Sequence, residues 1–338
     1  MVSIDLDMLK QTVMARGIPG FEDEVRKFIL ENVSGDNSNI EVDEHGNIIV
    51  LYGGEGPLLM FAAHMDELGL LTTNVFDDGK ISFRKLGGID DRVLPARHVE
   101  IRGDKGYIPG VIGFPSPHLN FEREQNVIPW HKLRIDIGAN SKREAVEMGV
   151  KPGQPVFFKK HWTILAGGKA VSTRGLDDRV GVFILLQLAR RLRTEPPRDR
   201  RVALAFTVRE EIGLWGAYAL AAKYRPDAVI AVDTMACCRP EITGEMRPGG
   251  GPALRLADNL YIATSKVADM IRKSAEHAKV NLQVATGGGS TDASAFQRLG
   301  VPAAAIGIPL LNTHTFAEIV YLDDIAGAIK LLLEVVYG

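Results

Sequence analysis

An apolar run of strand length, Val202-Ala203-Leu204-Ala205-Phe206-Thr207, leads into Val208-Arg209-Glu210-Glu211-Ile212-Gly213-Leu214-Trp215-Gly216-Ala217. Two adjacent carboxylates at the end of an apolar strand build no core. They present a site at the carboxyl end of that strand, where α/β sheets bind ligands. Neighbouring side chains on extended backbone point to opposite sides, so the two glutamates suit different tasks, one holding a metal and the other handling a proton. The competing reading is that Glu210 and Glu211 only begin a helix, where negative charge suits the positive end of the helix dipole. Their company in the rest of the chain separates the two.

With 338 residues the chain is long for one core, and two domains are expected. Hydrophobic content of 46% and charged content of 24% are those of an ordinary globular protein, and a net charge of −2 gives no reason to expect nucleic acid. The one basic cluster, Arg190, Arg191, Arg193, Arg198, Arg200 and Arg201, is broken by Glu195, Pro196, Pro197 and Asp199 and reads as a solvated connection. Met1-Val2-Ser3-Ile4-Asp5 has no basic region followed by an apolar one, and no run approaches membrane-span length. The expected location is cytoplasmic. Cys237 and Cys238, the two cysteines, read as free buried thiols of a reducing compartment.

Helical spacing at 6–15 and 21–33 flanks the turn Gly17-Ile18-Pro19-Gly20, and strands are expected at 47–52 and 57–63. From 68 to 160 the texture changes to short β-like pieces with frequent Gly and Pro, apart from a short helical stretch at 141–148. This is a small inserted β-rich domain. After 161 strands and helices alternate: a helix at 178–192, the 202–208 strand, a helix at 214–223, a strand at 228–232, a helix at 262–278, strands at 281–285 and 303–308, and a helix at 323–336. Alternation of this kind predicts an α/β fold with a mostly parallel sheet covered by helices on both faces.

Such a sheet places His64 and Asp66 after one strand, Glu210 and Glu211 after a second, Asp233 directly after a third and His314 in the loop after a fourth. Each alone has an ordinary structural explanation, but together they converge on one rim. Imidazole and carboxylate suit zinc and related divalent ions, and a two-metal centre needs one carboxylate shared between ions about 3.5–4 Å apart. Asp177, in Arg174-Gly175-Leu176-Asp177-Asp178-Arg179-Val180-Gly181, is the candidate for that bridge. Asp66, two residues beyond His64, is placed to orient its imidazole.

His64-x-Asp66, Leu176-Asp177-Asp178-Arg179-x-Gly181, Glu210-Glu211-x-Gly213-x-x-Gly216-Ala217, Asp233, and His314 with Glu318 four residues on resemble the M42 family of co-catalytic metallo-aminopeptidases. That group includes the tetrahedral (TET) aminopeptidases. Gly110-Val111-Ile112-Gly113, Ile135-Asp136-Ile137-Gly138-Ala139 and Gly288-Gly289-Ser290-Thr291-Asp292-Ala293 extend the resemblance over nearly the whole chain. Arg209 departs from it, since an uncharged residue is more usual before the glutamate pair, and so does Thr315, where Ser is common.

The resemblance implies a zinc-exopeptidase type of fold, with residues 1–67 and 161–338 as the catalytic domain and 68–160 as an inserted dimerisation domain. It implies two divalent ions, zinc first with cobalt or manganese as alternatives, bridged by Asp177. Glu211 and His314 complete one site, and His64 and Asp233 the other. Glu210 is then the general base and Asp66 the partner of His64. Substrates are short peptides with a free N-terminus, and dimers build a hollow tetrahedral dodecamer. An amidase or deacylase on the same metal centre, a glycosidase using Glu210 and Glu211, and an inert scaffold are the rival readings.

Overall fold

The computed structural model describes residues 4–35, 39–116, 118 and 127–338. The spacing of Leu9 and Val13 produces helix α1 (Leu6–Met14), whose first turn is closed by the Asp5 side chain accepting the Met8 N–H at 3.0 Å. Helix α2 (Asp23–Val33) buries Val25, Ile29 and Val33 on one stripe. Strands β1 (Asn39–Val42), β2 (Ile48–Tyr52) and β3 (Leu58–His64) follow. Next come β4 (Gly69–Val75), β5 (Ile81–Leu86), β6 (His98–Gly103), β7 (Gly106–Ile112), β8 (Ile135–Asp136), helix α3 (Lys142–Glu147) and β9 (Pro155–Phe158). The chain continues through β10 (Thr163–Leu165), β11 (Ala170–Thr173), α4 (Leu176–Thr194), β12 (Arg201–Thr207), α5 (Trp215–Lys223) and β13 (Ala228–Cys237). It ends with α6 (Pro240–Thr243), β14 (Ala253–Ala257), α7 (Ser265–Ala278), β15 (Gln283–Thr286), α8 (Ala293–Arg298), β16 (Ala303–Leu311), β17 (Glu318–Tyr321) and α9 (Leu322–Tyr337).

Contacts divide the chain into two compact units. One comprises Met1–Glu67, Trp162–Thr313 and Ala317–Gly338, the other Leu68–His161 with His314–Phe316. Residues 1–3, 36–38, 117 and 119–126, which include the start of the Met1–Asp5 stretch read for a targeting pattern, lie outside the described residues.

The larger unit holds an 11-stranded sheet in the order β1-β2-β12-β3-β13-β16-β17-β11-β10, with β14 and β15 branching from β16. A mostly parallel sheet was expected, and only the centre has that form. Strands β12, β3, β13 and β16 run parallel side by side, and β14 is parallel to β15. The pairs β1–β2, β2–β12, β14–β16, β16–β17, β17–β11 and β11–β10 are antiparallel, so the sheet is mixed. Parallel neighbours need a long crossover, and the links 43–47, 166–169 and 312–317 are too short to supply one.

Alternation along the central strands builds two cores. Leu59, Phe61 and Ala63 of β3, with Val202, Leu204 and Phe206 of β12, pack on one face with residues of α1, α4, α7 and α9. Leu58, Met60, Ala62, Ala203 and Ala205 face α5 and α8 on the other. Helices therefore cover both faces. Helix α4 is buried almost all round, and each fully buried Leu, Ile, Val or Phe in it contributes about 1.5–3 kcal/mol.

The smaller unit is a closed six-stranded barrel, β4-β5-β8-β7-β6-β9, filled by residues such as Leu70, Phe83, Ile101, Ile112 and Val156. Closure leaves no edge strand to pair elsewhere. Gly110 of β7 has no room for a side chain, because a Cβ there would lie 2.8 Å from Ile135.

The basic cluster is engaged locally. Arg190 pairs with Asp5 at 3.1 Å, Arg191 with Glu195 at 2.6 Å, and Arg200 donates to the Val335 carbonyl at 2.9 Å. Cys237 and Cys238, expected as free buried thiols, stand side by side at the end of β13, the first half-buried and the second exposed, their Cα atoms 3.0 Å apart. Among the described residues no helix is long and apolar enough to cross a membrane.

Candidate metal centre

The parallel strands of the sheet centre deliver the polar residues together. His64 is the last residue of β3 and pairs in register with Thr207, the last residue of β12. Asp233 lies inside β13, not after it, because pairing with β16 continues to Cys237 opposite Leu311. Glu210 and Glu211 sit in the turn before α5 and do not begin the helix, which starts at Trp215. Asp177 keeps an extended backbone (φ −78°, ψ 113°) at the entrance to α4. Four non-glycine residues in the left-handed region flank these positions, Arg209, Leu214, Asn312 and His314. Such backbone costs about 1–3 kcal/mol each and persists where the surroundings impose it.

His64 is the hub. Its Nε2 lies 3.5 Å from Asp177 Oδ1, 3.8 Å from Asp233 Oδ1 and 3.9 Å from Glu210 Oε2. Its Nδ1 donates to the Asp66 main-chain carbonyl at 3.1 Å, which leaves Nε2 as the nitrogen able to ligate. His64, Asp178 and Asp233, all buried, each offer a ligand atom within 4.8 Å of the others. Imidazole and carboxylate are the donors zinc and its neighbours take, so this group fits a divalent ion. His314 Nδ1 is 3.1 Å from the Gly88 carbonyl, the same arrangement as in His64.

Asp66 contacts both His64 and the turn that carries the two glutamates. Its carboxylate stands 3.6 Å from His64 Nδ1 and accepts the N–H groups of Glu210 at 3.0 Å and Glu211 at 3.2 Å. The strand end carrying His64 thereby sets the turn carrying both glutamates.

The acidic crowding shows in the protonation equilibria. Burial pushes the Glu210 carboxyl well above its usual range; His64 opposes this, while Asp233, Glu211 and Asp292 add to it. Burial and the charge of Asp177 raise Asp233 to about 6, and burial with Asp233 holds Asp178 well above the ordinary carboxyl value. For His64 burial favours the neutral ring, but Glu210, Asp177 and Asp66 outweigh it and hold the imidazole well above its usual value. A divalent cation is the group that offsets this much buried negative charge.

The M42 glutamyl aminopeptidase model matches residues 46–331. The chain belongs to the M42 peptidase family. A putative aminopeptidase of Acetivibrio thermocellus is 33% identical over 335 residues, 98% of each chain. The lysyl aminopeptidase of Pyrococcus furiosus is 30% identical over 340 residues, 97% of this chain and 95% of that one. Among solved structures, the TET1 peptidase of Pyrococcus horikoshii, which can assemble into a tetrahedron or a large octahedral shell, is 43% identical. It superposes with a TM-score of 0.93 over 98% of this chain and 99% of that one.

Three further residues support this M42 site without having been assigned roles from sequence. Asp178 joins the His64 group, and its Oδ1 accepts the Gly181 N–H at 3.0 Å. Buried Glu318 accepts the Leu176 N–H at 2.8 Å and so holds the backbone next to Asp177. Asp292 takes the Thr207 hydroxyl at 2.5 Å, and burial raises its carboxyl to about 7. The doubled aspartate ahead of Gly181 was the available signal for Asp178. The other histidines, 45, 98, 118, 131, 161 and 277, are exposed.

Gly181 makes the packing testable. A Cβ there would lie 2.3 Å from Asp178 Oδ2 and 2.6 Å from the Val232 carbonyl, next to Asp233. Gly181→Ala is expected to cost about 1–3 kcal/mol in denaturant unfolding and to weaken metal retention by displacing Asp178 or Asp233. Wild-type stability and metal content would contradict that placement.

Proposed function

We propose that this M42 chain is a dinuclear metallo-aminopeptidase that removes N-terminal residues from short peptides, with zinc as its metal and cobalt or manganese as chemical equivalents. The observation that carries the reading is the convergence of three carboxylates within 3.5–3.9 Å of His64 Nε2, with Asp178 and Asp233 grouped about the same imidazole. Asp177 would be shared between the two ions, Glu211 and His314 would complete one site, and His64 and Asp233 the other, with Asp178 beside them. Bound divalent ions supply Lewis acidity, which acidifies a water and polarises the scissile carbonyl.

The remaining work belongs to the chain. Glu210 is buried near the ligands, and its backbone is pinned by Asp66. It takes the proton from the attacking water and passes it to the leaving amine. Carboxylates at the rim receive the free α-amine of the substrate. A glycosidase needs its two carboxyls on opposite walls of the substrate, about 5 Å or more apart, and adjacent Glu210 and Glu211 on one turn do not meet that requirement.

The segment 68–160 acts as the dimerisation domain in this reading, and dimers build a tetrahedral dodecamer. The shell-forming TET1 relative supports a homo-oligomer.

The test is hydrolysis of an aminoacyl chromogenic substrate before chelation, after chelation, and after zinc, cobalt or manganese is restored. Activity lost on chelation and recovered with metal is the expected result. Undiminished cleavage by metal-free protein would refute the reading.

A further inference from the structure

The two turns that carry His64 and Asp177 are joined by buried charges outside the ligand set. Glu67, three residues beyond His64, pairs through Oε2 with Arg174 Nε at 3.4 Å and through Oε1 with Arg179 Nη2 at 3.5 Å. Arg174 and Arg179 bracket Asp177 and Asp178 in sequence, so one carboxylate grips the ligand-bearing turn from both sides. All three side chains are at most 4% exposed.

Arg179 extends the connection. Its Nε donates to the Met65 carbonyl at 2.7 Å, between His64 and Asp66. Its Nη1 donates to the carbonyls of Thr12 at 2.9 Å and Ala15 at 2.6 Å, and its Nη2 to that of Gly17 at 3.2 Å. A planar five-donor guanidinium can serve these acceptors together, and an ammonium with three donors cannot. Gly17 must lack a side chain for this, since a Cβ there would stand 2.9 Å from Nη2.

We infer that the Arg174–Glu67–Arg179 triad is a positioning device that fixes the His64 turn against the Asp177–Asp178 turn, and that Glu67 and Arg179 set metal affinity without being ligands. A buried ion triad is weak evidence for stability, because hydrophobic residues of similar volume often serve as well. Its value here is registry. Residues that hold metal ligands in place typically change affinity by about 10–100-fold when replaced.

The inference rests on the proposed metal centre, and the experiment separates the two. Full-length protein is stripped with chelator and titrated calorimetrically with zinc, as wild type, Glu67→Gln, Arg179→Lys and, as a control, Leu332→Ala. Leu332 of α9 is fully buried in the main core and makes none of the triad's polar contacts, and its truncation lowers the melting temperature through packing. Wild type is expected to bind two equivalents, Glu67→Gln and Arg179→Lys to bind about 10–100-fold more weakly, and Leu332→Ala to bind like wild type. If the two triad variants melt earlier yet bind zinc like wild type, the triad is structural only and the inference is overturned. Wild type that binds no zinc overturns the metal centre and the inference with it. Should Arg179→Lys fail to fold, the isosteric Glu67→Gln decides.

Discussion

Glu210→Gln lowers kcat by about 10²–10⁴-fold, the range a positioned general base supplies, with metal content and KM little changed. Gln keeps the size of the side chain, and the contact from the residue 210 N–H to Asp66 is made by backbone, so the turn survives the substitution. What is lost is the carboxylate that receives the proton. Burial, with Asp233, Glu211 and Asp292, raises the affinity of Glu210 for that proton, while His64 pulls the other way. The group thus holds a proton more readily than a surface glutamate would. Kinetics on a free-amine substrate with metal analysis on the same sample checks this. Full activity in the variant would remove Glu210 from the chemistry.

Asp177→Asn is expected to strip metal from both sites and to lower activity by about 10³-fold or more, since several kcal/mol of transition-state stabilisation depend on the ions. Asp177 is 3.5 Å from His64, and in the proposed centre it is the carboxylate that would serve both ions. The neutral amide keeps the shape but not the charge that two cations share. Asp178→Asn gives the contrast. Asp178 belongs only to the His64 and Asp233 group, so its loss should affect one equivalent of metal at most. Equal metal loss in the two variants would contradict the assignment of the bridge to Asp177.

Much of this site was legible because the central strands are apolar runs that stop at charge. Leu58–His64 and Arg201–Thr207 end where the sequence changes character, and parallel pairing in register then brings His64 and the glutamate turn together. Asp233 was read as following its strand because the apolar run stops at Val232. The strand continues because its pairing with β16 does, and no local pattern reports that.

Strand β17 carries Glu318 on a short segment whose character comes from neighbours far along the chain. Glu318 was visible as part of a motif, but its hydrogen bond to the Leu176 N–H crosses 142 positions of sequence. A separation of 112 positions likewise hid the pairing of Glu67 with Arg179. Charged residues in a sequence read as solvated by default, and only burial turns them into positioning groups. The antiparallel flanks were missed for a related reason: β10 and β11 are too short for alternation to register.

The central claim is that this centre cleaves the bond after a free N-terminal residue. Its most direct test is a panel of aminoacyl substrates, acidic, basic and apolar, each presented with a free α-amine and with the amine acetylated. Metal-dependent cleavage confined to the free-amine set is the predicted result, and the order of rates ranks the preferred side chain. Cleavage of the acetylated set with the free-amine set untouched would contradict the account and make the centre that of a deacylase.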